Sequence, residues 1–258
     1  MLRLIDTHAH LDEVENVHPQ LEQAKKIGVI AIVAVGSNYQ SNTKILEIAQ
    51  RYPRFVYPAI GLHPWDLGGF SATEVRQNLQ FIEENLISAV ALGEVGLDYD
   101  KRVVSRVSKE LQREVLTQLL EIAKRCSKPV VIHSRYAWKD ALHMIQNAGI
   151  NKAVFHWFTG FSSVLETIID YGYFVSATPA GEYHEEHRRA IKEAPLDRLL
   201  LETDCPVMYG RENRYQSQLV DVLRSLKVVS QIKALSEAVV AHQTTVNAVK
   251  FFNLDLAL

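Results

Sequence analysis

The chain has 258 residues, 47% of them apolar, and a formal net charge of −2. That length suits one large domain or two small ones, and the charge excludes a globally basic nucleic-acid binder, so any polyanion site must be a local patch. The two cysteines, Cys126 and Cys205, make no disulfide framework. No apolar run approaches membrane-spanning length, and the chain opens on a strand-like segment rather than a signal peptide, so a cytoplasmic protein is expected.

Short, nearly continuous apolar runs recur from end to end: LRLID (2–6), VIAIVAVG (29–36), FVYPAIG (55–61), AVALGEVG (89–96), PVVIHS (129–134), KAVFHW (152–157), YFVSAT (173–178) and LLLETD (199–204). Such runs are what strands of a parallel sheet, buried on both faces, look like. Helical periods lie between them. Leu21, Ala24 and Ile27 form one stripe in 19–28, and Ile45, Leu46, Ile48 and Ala49 recur in 41–51. The segment 71–87 opens with Ser71-x-x-Glu74, a capping-box pattern. Leu111, Val115, Leu119 and Ile122 fall at spacings of three and four in 108–126, and further helical stretches fit 137–148, 162–171 and 184–193. Eight strands alternating with helices predict an α/β fold, a single (β/α)8 TIM barrel spanning 1–258. A doubly wound open sheet is the alternative, but no G-x-G-x-x-G follows the first strand. The segment 213–252 reads as the last barrel helix plus C-terminal capping helices, without another clear strand.

In such a barrel the chemistry sits at the C-terminal strand ends. Strand 1 ends in His8 and His10, strand 3 in His63, strand 4 carries Glu94, strand 5 ends in His133 and Arg135, strand 6 in His156, and strand 8 in Glu202 and Asp204. A carboxylate amid apolar residues is costly unless a cation or a proton answers it, which applies to Glu94 and Asp204. A lone strand-end histidine is more often a hydrogen-bonding residue than a ligand, but scattered accidents would not collect at strand ends. Four histidines and two carboxylates exceed the need of one catalytic metal, which keeps a position open for water. They suit two ions sharing Glu94: His8, His10, Asp204 and Glu94 around one, and Glu94, His133 and His156 around the other. Such a pair can activate a water and clamp the attacking and leaving oxygens of a displacement. The mixed donor set leaves Zn2+, Mn2+ and Mg2+ open.

Around the site, Lys101, Arg102, Arg106, Arg135, Arg211 and Arg214, with Trp65, Tyr99, Trp157 and Phe158, could form a cleft for phosphate and base. His184 and His187, three apart in EYHEEH, read as a solvated helix face, and His18, His143 and His242 as surface residues.

The motifs IDTHAHLD, GLHPW, LGEVGLDYD, VVIHSR, FHWFTG and LLLETDCP, in this order and spacing, resemble the TatD family of metal-dependent deoxyribonucleases, amidohydrolase-like TIM barrels. The resemblance runs from Asp6 to TTVNAVKFFNL (244–254). It implies metal ligands at His8, His10, Glu94, His133, His156 and Asp204, a substrate contact at His63 and a phosphate contact at Arg135. It also implies hydrolysis of DNA phosphodiesters with divalent metal ions, or, as in some relatives, D-aminoacyl-tRNA deacylation. Asp204 is expected to act as general base. RENRYQSQ (211–218) departs from the family's usual segment after strand 8. A barrel kept only as a scaffold is disfavoured, because it has no need of the ligand set. DNA is the expected partner, with no membrane, no obligate protein partner, and a monomeric or weakly oligomeric state.

Overall fold

The computed structural model describes residues 2–256. Eight parallel strands occur in chain order: β1 (Leu4–Ala9), β2 (Val29–Val35), β3 (Val56–Ile60), β4 (Ala91–Asp98), β5 (Val130–Arg135), β6 (Ala153–Phe155), β7 (Phe174–Ala177) and β8 (Leu199–Leu201). Between them lie α1 (Val17–Lys26), α2 (Tyr39–Arg51), α3 (Ala72–Asn85), the short α4 (Lys101–Val104), α5 (Lys109–Arg125), α6 (Trp138–Ala148), α7 (Ser162–Asp170) and α8 (Glu185–Glu193). Each strand pairs with its sequence neighbour, from β1 with β2 to β7 with β8. The ring closes just beyond β8. His10 N donates to Cys205 O at 2.8 Å, Asp204 N donates to His8 O at 2.9 Å, and Ala9 forms a parallel bridge with Cys205. The expected (β/α)8 barrel is therefore present.

Local chemistry sets the helix starts. The Ser71 hydroxyl accepts from Glu74 N while the Glu74 carboxylate accepts from Ser71 N, the reciprocal pair foreseen from Ser-x-x-Glu. Asn38 and Ser108 cap α2 and α5 one way only, their side chains accepting from Ser41 N and Leu111 N. These caps satisfy orphan N–H groups and fix where each helix leaves its loop.

The strands read as continuously apolar because both faces are covered. One face packs Leu4, Ile32, Ile60, Leu92, Ile132 and Phe155 against the helices. The other packs Ile5, Ala31, Val33, Ala59, Ala91, Val131, Val154 and Leu200 together, with Phe251, Phe252 and Leu254. Those aromatic residues belong to α10 (Glu237–Phe252), which follows α9 (Val222–Lys233) and packs on β1 and β8. Asn247 on α10 donates to Leu196 O and Leu199 O, and Thr245 donates to Arg3 O, which pins the helix to the entry of both strands.

Two details differ from the sequence reading. The stretch after β8 is not free of strand: β9 (Met208–Tyr209) pairs antiparallel with β10 (Tyr215–Gln216), so the atypical 211–218 segment begins as a hairpin tip. Tyr209 anchors that hairpin; it is fully buried and its hydroxyl donates to Thr203 O. His187 is not on a solvated face. It is fully buried, accepting from Thr178 N and sharing a hydrogen bond with Phe158 O, and so joins α8 to the ends of β6 and β7. His18, His143 and His242 are exposed as expected.

Candidate metal centre

Two strands break regular alternation where the polar residues fall. Ile5 and Ala91 pack with the second apolar cluster, and on strict alternation His8 and Glu94, three residues further on, would face the other way. Pairing register shifts between Asp6 and Ala9 in β1 and between Leu92 and Val95 in β4. Such irregularities re-aim a side chain at a site. Close approach needs glycine here. A Cβ on Gly61 would lie 2.4 Å from Glu94 O, and one on Gly96, at φ +155°, would lie 1.9 Å from His133 O. These glycines let β3, β4 and β5 meet at Glu94 and His133.

The result is a single cluster at the strand ends. His8 Nε2 lies 3.2 Å from Glu94 Oε2, 3.3 Å from His10 Nε2 and 3.4 Å from Asp204 Oδ1. His10 Nε2 lies 3.4 Å from each carboxylate. The other oxygen, Glu94 Oε1, lies 2.7 Å from His156 Nε2, 2.9 Å from His133 Nδ1 and 3.4 Å from His63 Nε2. All six expected ligands are thus brought together, and His63 with them. Side-chain groups with donor spacing suited to a cation are His8–His10–Asp204, His63–Glu94–His133 and His8–His156–Glu202.

The electrostatics are those of a pre-charged pocket. Burial opposes ionisation of Glu94, but the surrounding imidazoles, His156 foremost, outweigh it and hold its pKa well below the ordinary carboxylate value. Burial likewise opposes charge on His10 and His156, yet Asp204 and Glu94 raise the first, and Glu94 and Glu202 the second, well above the usual imidazole value. Burial also raises Asp6, to about 7, against donors from Thr203 and His8 N. Asp6 thereby laces the end of β1 to the segment after β8.

Three strand-end residues take left-handed backbone angles: Tyr136 (φ 55°), Trp157 (φ 41°) and Asp204 itself (φ 50°). Each costs about 1–3 kcal/mol, and such strain concentrates at functional sites.

The cluster opens into a cavity of about 810 Å³. Of the cations expected around it, only Arg135 lines it; Arg102 instead pairs with Asp100 at 2.8 Å, and Arg211 and Arg214 are exposed on the hairpin. Arg189 of α8, not foreseen, lines the wall and is held by Gly160 O and Ser162 Oγ. Trp65 and Trp157 line the cavity as expected. Phe158 is buried, and Tyr99 turns its hydroxyl to Asp140; Tyr136, Trp138 and Phe161 line the cavity in their stead. Arg135 is also less free than expected. Its Nε donates to Asp98 Oδ1 at 3.2 Å, its Nη2 lies 3.7 Å from Asp100 Oδ2, and its guanidinium lies 5.0 Å from the Trp65 ring centre.

An eight-stranded barrel with imidazoles and carboxylates converging at its C-terminal mouth defines a hydrolytic enzyme of the metal-dependent barrel class. The chain belongs to the TatD related DNase family, whose model matches residues 5–253. It is 34% identical to human deoxyribonuclease TATDN3, over 96% of this chain and 94% of that protein. It is 30% identical to the metal-dependent hydrolase YabD of Bacillus subtilis, over 98% of this chain and the whole of that one. The solved structure of the TatD homologue YJJV from Escherichia coli superposes with a TM-score of 0.87 at 27% identity, covering 98% of each chain.

Proposed function

We propose that this chain hydrolyses phosphodiester bonds in DNA, with two divalent cations sharing Glu94. The observation that carries this reading is the split of one carboxylate: Glu94 Oε2 faces His8 and His10, and Oε1 faces His133 and His156. The donors fit the group. His8 Nε2 and His10 Nε2 lie 3.3 Å apart and each lies 3.2–3.4 Å from Glu94 Oε2 and Asp204 Oδ1, close enough for these donors to converge on one cation. One cation would take those four residues, and the second would take Glu94, His133 and His156. Mg2+, Mn2+ or Zn2+ bound there would supply Lewis acidity and lower the pKa of a water towards neutrality.

The chain's own groups do the rest. Asp204 would act as general base: its Oδ1 stands 3.4 Å from both His8 and His10, against the cluster. His63 Nδ1 accepts from Trp65 N at 3.2 Å, so a neutral His63 carries its proton on Nε2. That makes His63 a donor to a substrate oxygen rather than a metal ligand, and burial favours its neutral form. Arg135 lines the cavity, held by Asp98, Asp100 and Trp65, and its guanidinium would meet a phosphate oxygen there. The DNA substrate is supported by relatives named deoxyribonucleases.

One observation favours a second reading, deacylation of an aminoacyl ester. Glu13, Asp66 and Glu186 line the mouth of the cavity, where they would repel phosphate and receive a free amino group. The deciding experiment offers the metal-reconstituted protein a DNA oligonucleotide and an aminoacyl-tRNA. DNA cleavage that Arg135→Ala weakens supports the nuclease. Ester hydrolysis with DNA intact, indifferent to Arg135→Ala, sinks it in favour of the deacylase.

A further inference from the structure

Asp98 was not singled out in the sequence for any role, yet it is completely buried at the end of β4 and collects donors from both sides of the site. Its Oδ2 accepts from His133 Nε2 at 2.9 Å and Trp65 Nε1 at 2.6 Å, and its Oδ1 accepts from Asp100 N at 2.8 Å and Arg135 Nε at 3.2 Å. The residue cannot drift. Gln112 of α5, also fully buried, accepts from Asp98 N at 2.8 Å and donates to Asp98 O at 3.0 Å.

His133 differs from its companions. His8, His10 and His156 present Nε2 to the carboxylates of the cluster, whereas His133 presents Nδ1. An imidazole ligates through an unprotonated nitrogen, and its tautomer is set by what the other nitrogen donates to. His133 lies between two buried carboxylates, Nδ1 at 2.9 Å from Glu94 Oε1 and Nε2 at 2.9 Å from Asp98 Oδ2; with a cation taken up beside Glu94, Asp98 is the acceptor that keeps the proton on Nε2. We propose that Asp98 is a positioning residue that fixes His133 in the Nε2–H tautomer and ties the second cation position to the substrate-side pair Arg135 and Trp65. This rests on the two-cation reading above and goes beyond it: one carboxylate sets both a ligand's protonation and the aim of the phosphate-binding arginine. An asparagine there cannot accept from three donors through its single oxygen, and its amide N–H2 would oppose at least one of them.

The test is calorimetric titration of the metal-free chain with Mn2+. The wild type is expected to bind two ions. Asp98→Asn should bind one with affinity unchanged within about twofold and the other about 10–100-fold more weakly. Trp65→Phe, which removes a donor to Asp98 but leaves His133 alone, should keep both affinities. Asp98→Asn with two undiminished affinities, or Trp65→Phe weakened as much as Asp98→Asn, overturns the inference. Should the wild type itself take up fewer than two ions, the two-cation reading fails, and Asp98 is then judged on the tautomer alone. That readout also stands if Asp98→Asn does not fold. In wild-type protein loaded with diamagnetic Zn2+ and labelled with 15N-histidine, the His133 proton must sit on Nε2; a proton on Nδ1 overturns the assignment.

Discussion

At the scale of single residues, roles follow from which atom faces which. Asp204 Oδ1 lies 3.4 Å from both His8 and His10, so the carboxylate stands against the cluster where a water would be activated. Asp204→Asn keeps its size and removes the base, and turnover should fall about 10²–10⁴-fold, read as kcat with metal saturating. His63 Nε2 is a donor aimed at the cluster, and its loss in His63→Ala should cost about 10²–10³ in kcat while metal affinity holds. A His63→Ala protein that loses a bound ion would make His63 a ligand instead. Arg135→Ala should raise KM for phosphate-bearing substrates roughly 10–100-fold, the worth of a hydrogen bond to a charged group. Arg135→Lys should recover only part of it, because lysine lacks the planar fork whose separate nitrogens hold Asp98 and face the cavity.

Much of this was legible because polar residues at the ends of apolar runs have few reasons to be there. His8, His10, Glu94, His133, His156 and Asp204 each interrupt or terminate a strand, and the barrel brings strand ends together whatever the loops do. What stayed hidden depended on the third dimension. Arg102 sits near the site in sequence but folds back on Asp100, two residues away. Arg189 sits far away in sequence but lies on the helix that roofs the cavity. Asp98 looked like the ordinary end of a strand until its partners from the loop after β3, from β5 and from α5 were in place.

At the scale of elements, α8 shows how a polar composition can mislead. Its sequence EEHRRAIKE is mostly charged, but His187, Ala190 and Ile191 share the buried side. Burial, the largest influence, lowers the His187 pKa to about 4 from an ordinary 6.5. Between those values the unfolded chain binds a proton that the folded chain refuses, so stability is lost as pH falls from about 6.5 to about 4. The loss amounts to about 3 kcal/mol. His187→Leu should be less stable at pH 8, because Thr178 N and Phe158 O lose their partner, yet should show a shallower decline between pH 6.5 and 4. Denaturant midpoints across that range check it. An unchanged slope would mean that His187 is charged or solvated in the folded protein.

At the scale of the whole molecule, α10 closes the end of the barrel opposite the cluster. Phe251 is 2% exposed and packs with strand residues including Ile5, Val131 and Leu200. Phe251→Ala should cost about 3–5 kcal/mol of stability, seen by chemical denaturation, while kcat at 25 °C stays close to that of the wild type. The separation of a stabilising end from a reacting end is the general plan of this barrel. No helix among the described residues is long and apolar enough to cross a membrane. With a net charge of −2, and with Glu13, Asp66 and Glu186 beside Arg135 and Arg189 in the cavity lining, any binding of DNA should be weak and fall with added salt.

The sharing of Glu94 between two cations is supported by one oxygen facing His8 and His10 and the other facing His133 and His156. Its most direct test is the metal content of wild-type and Glu94→Ala proteins after equilibration with Mn2+ and removal of free ion. The wild type should retain two ions per chain, and Glu94→Ala at most one, with turnover lost in step. A Glu94→Ala protein that still holds two ions would contradict the shared carboxylate.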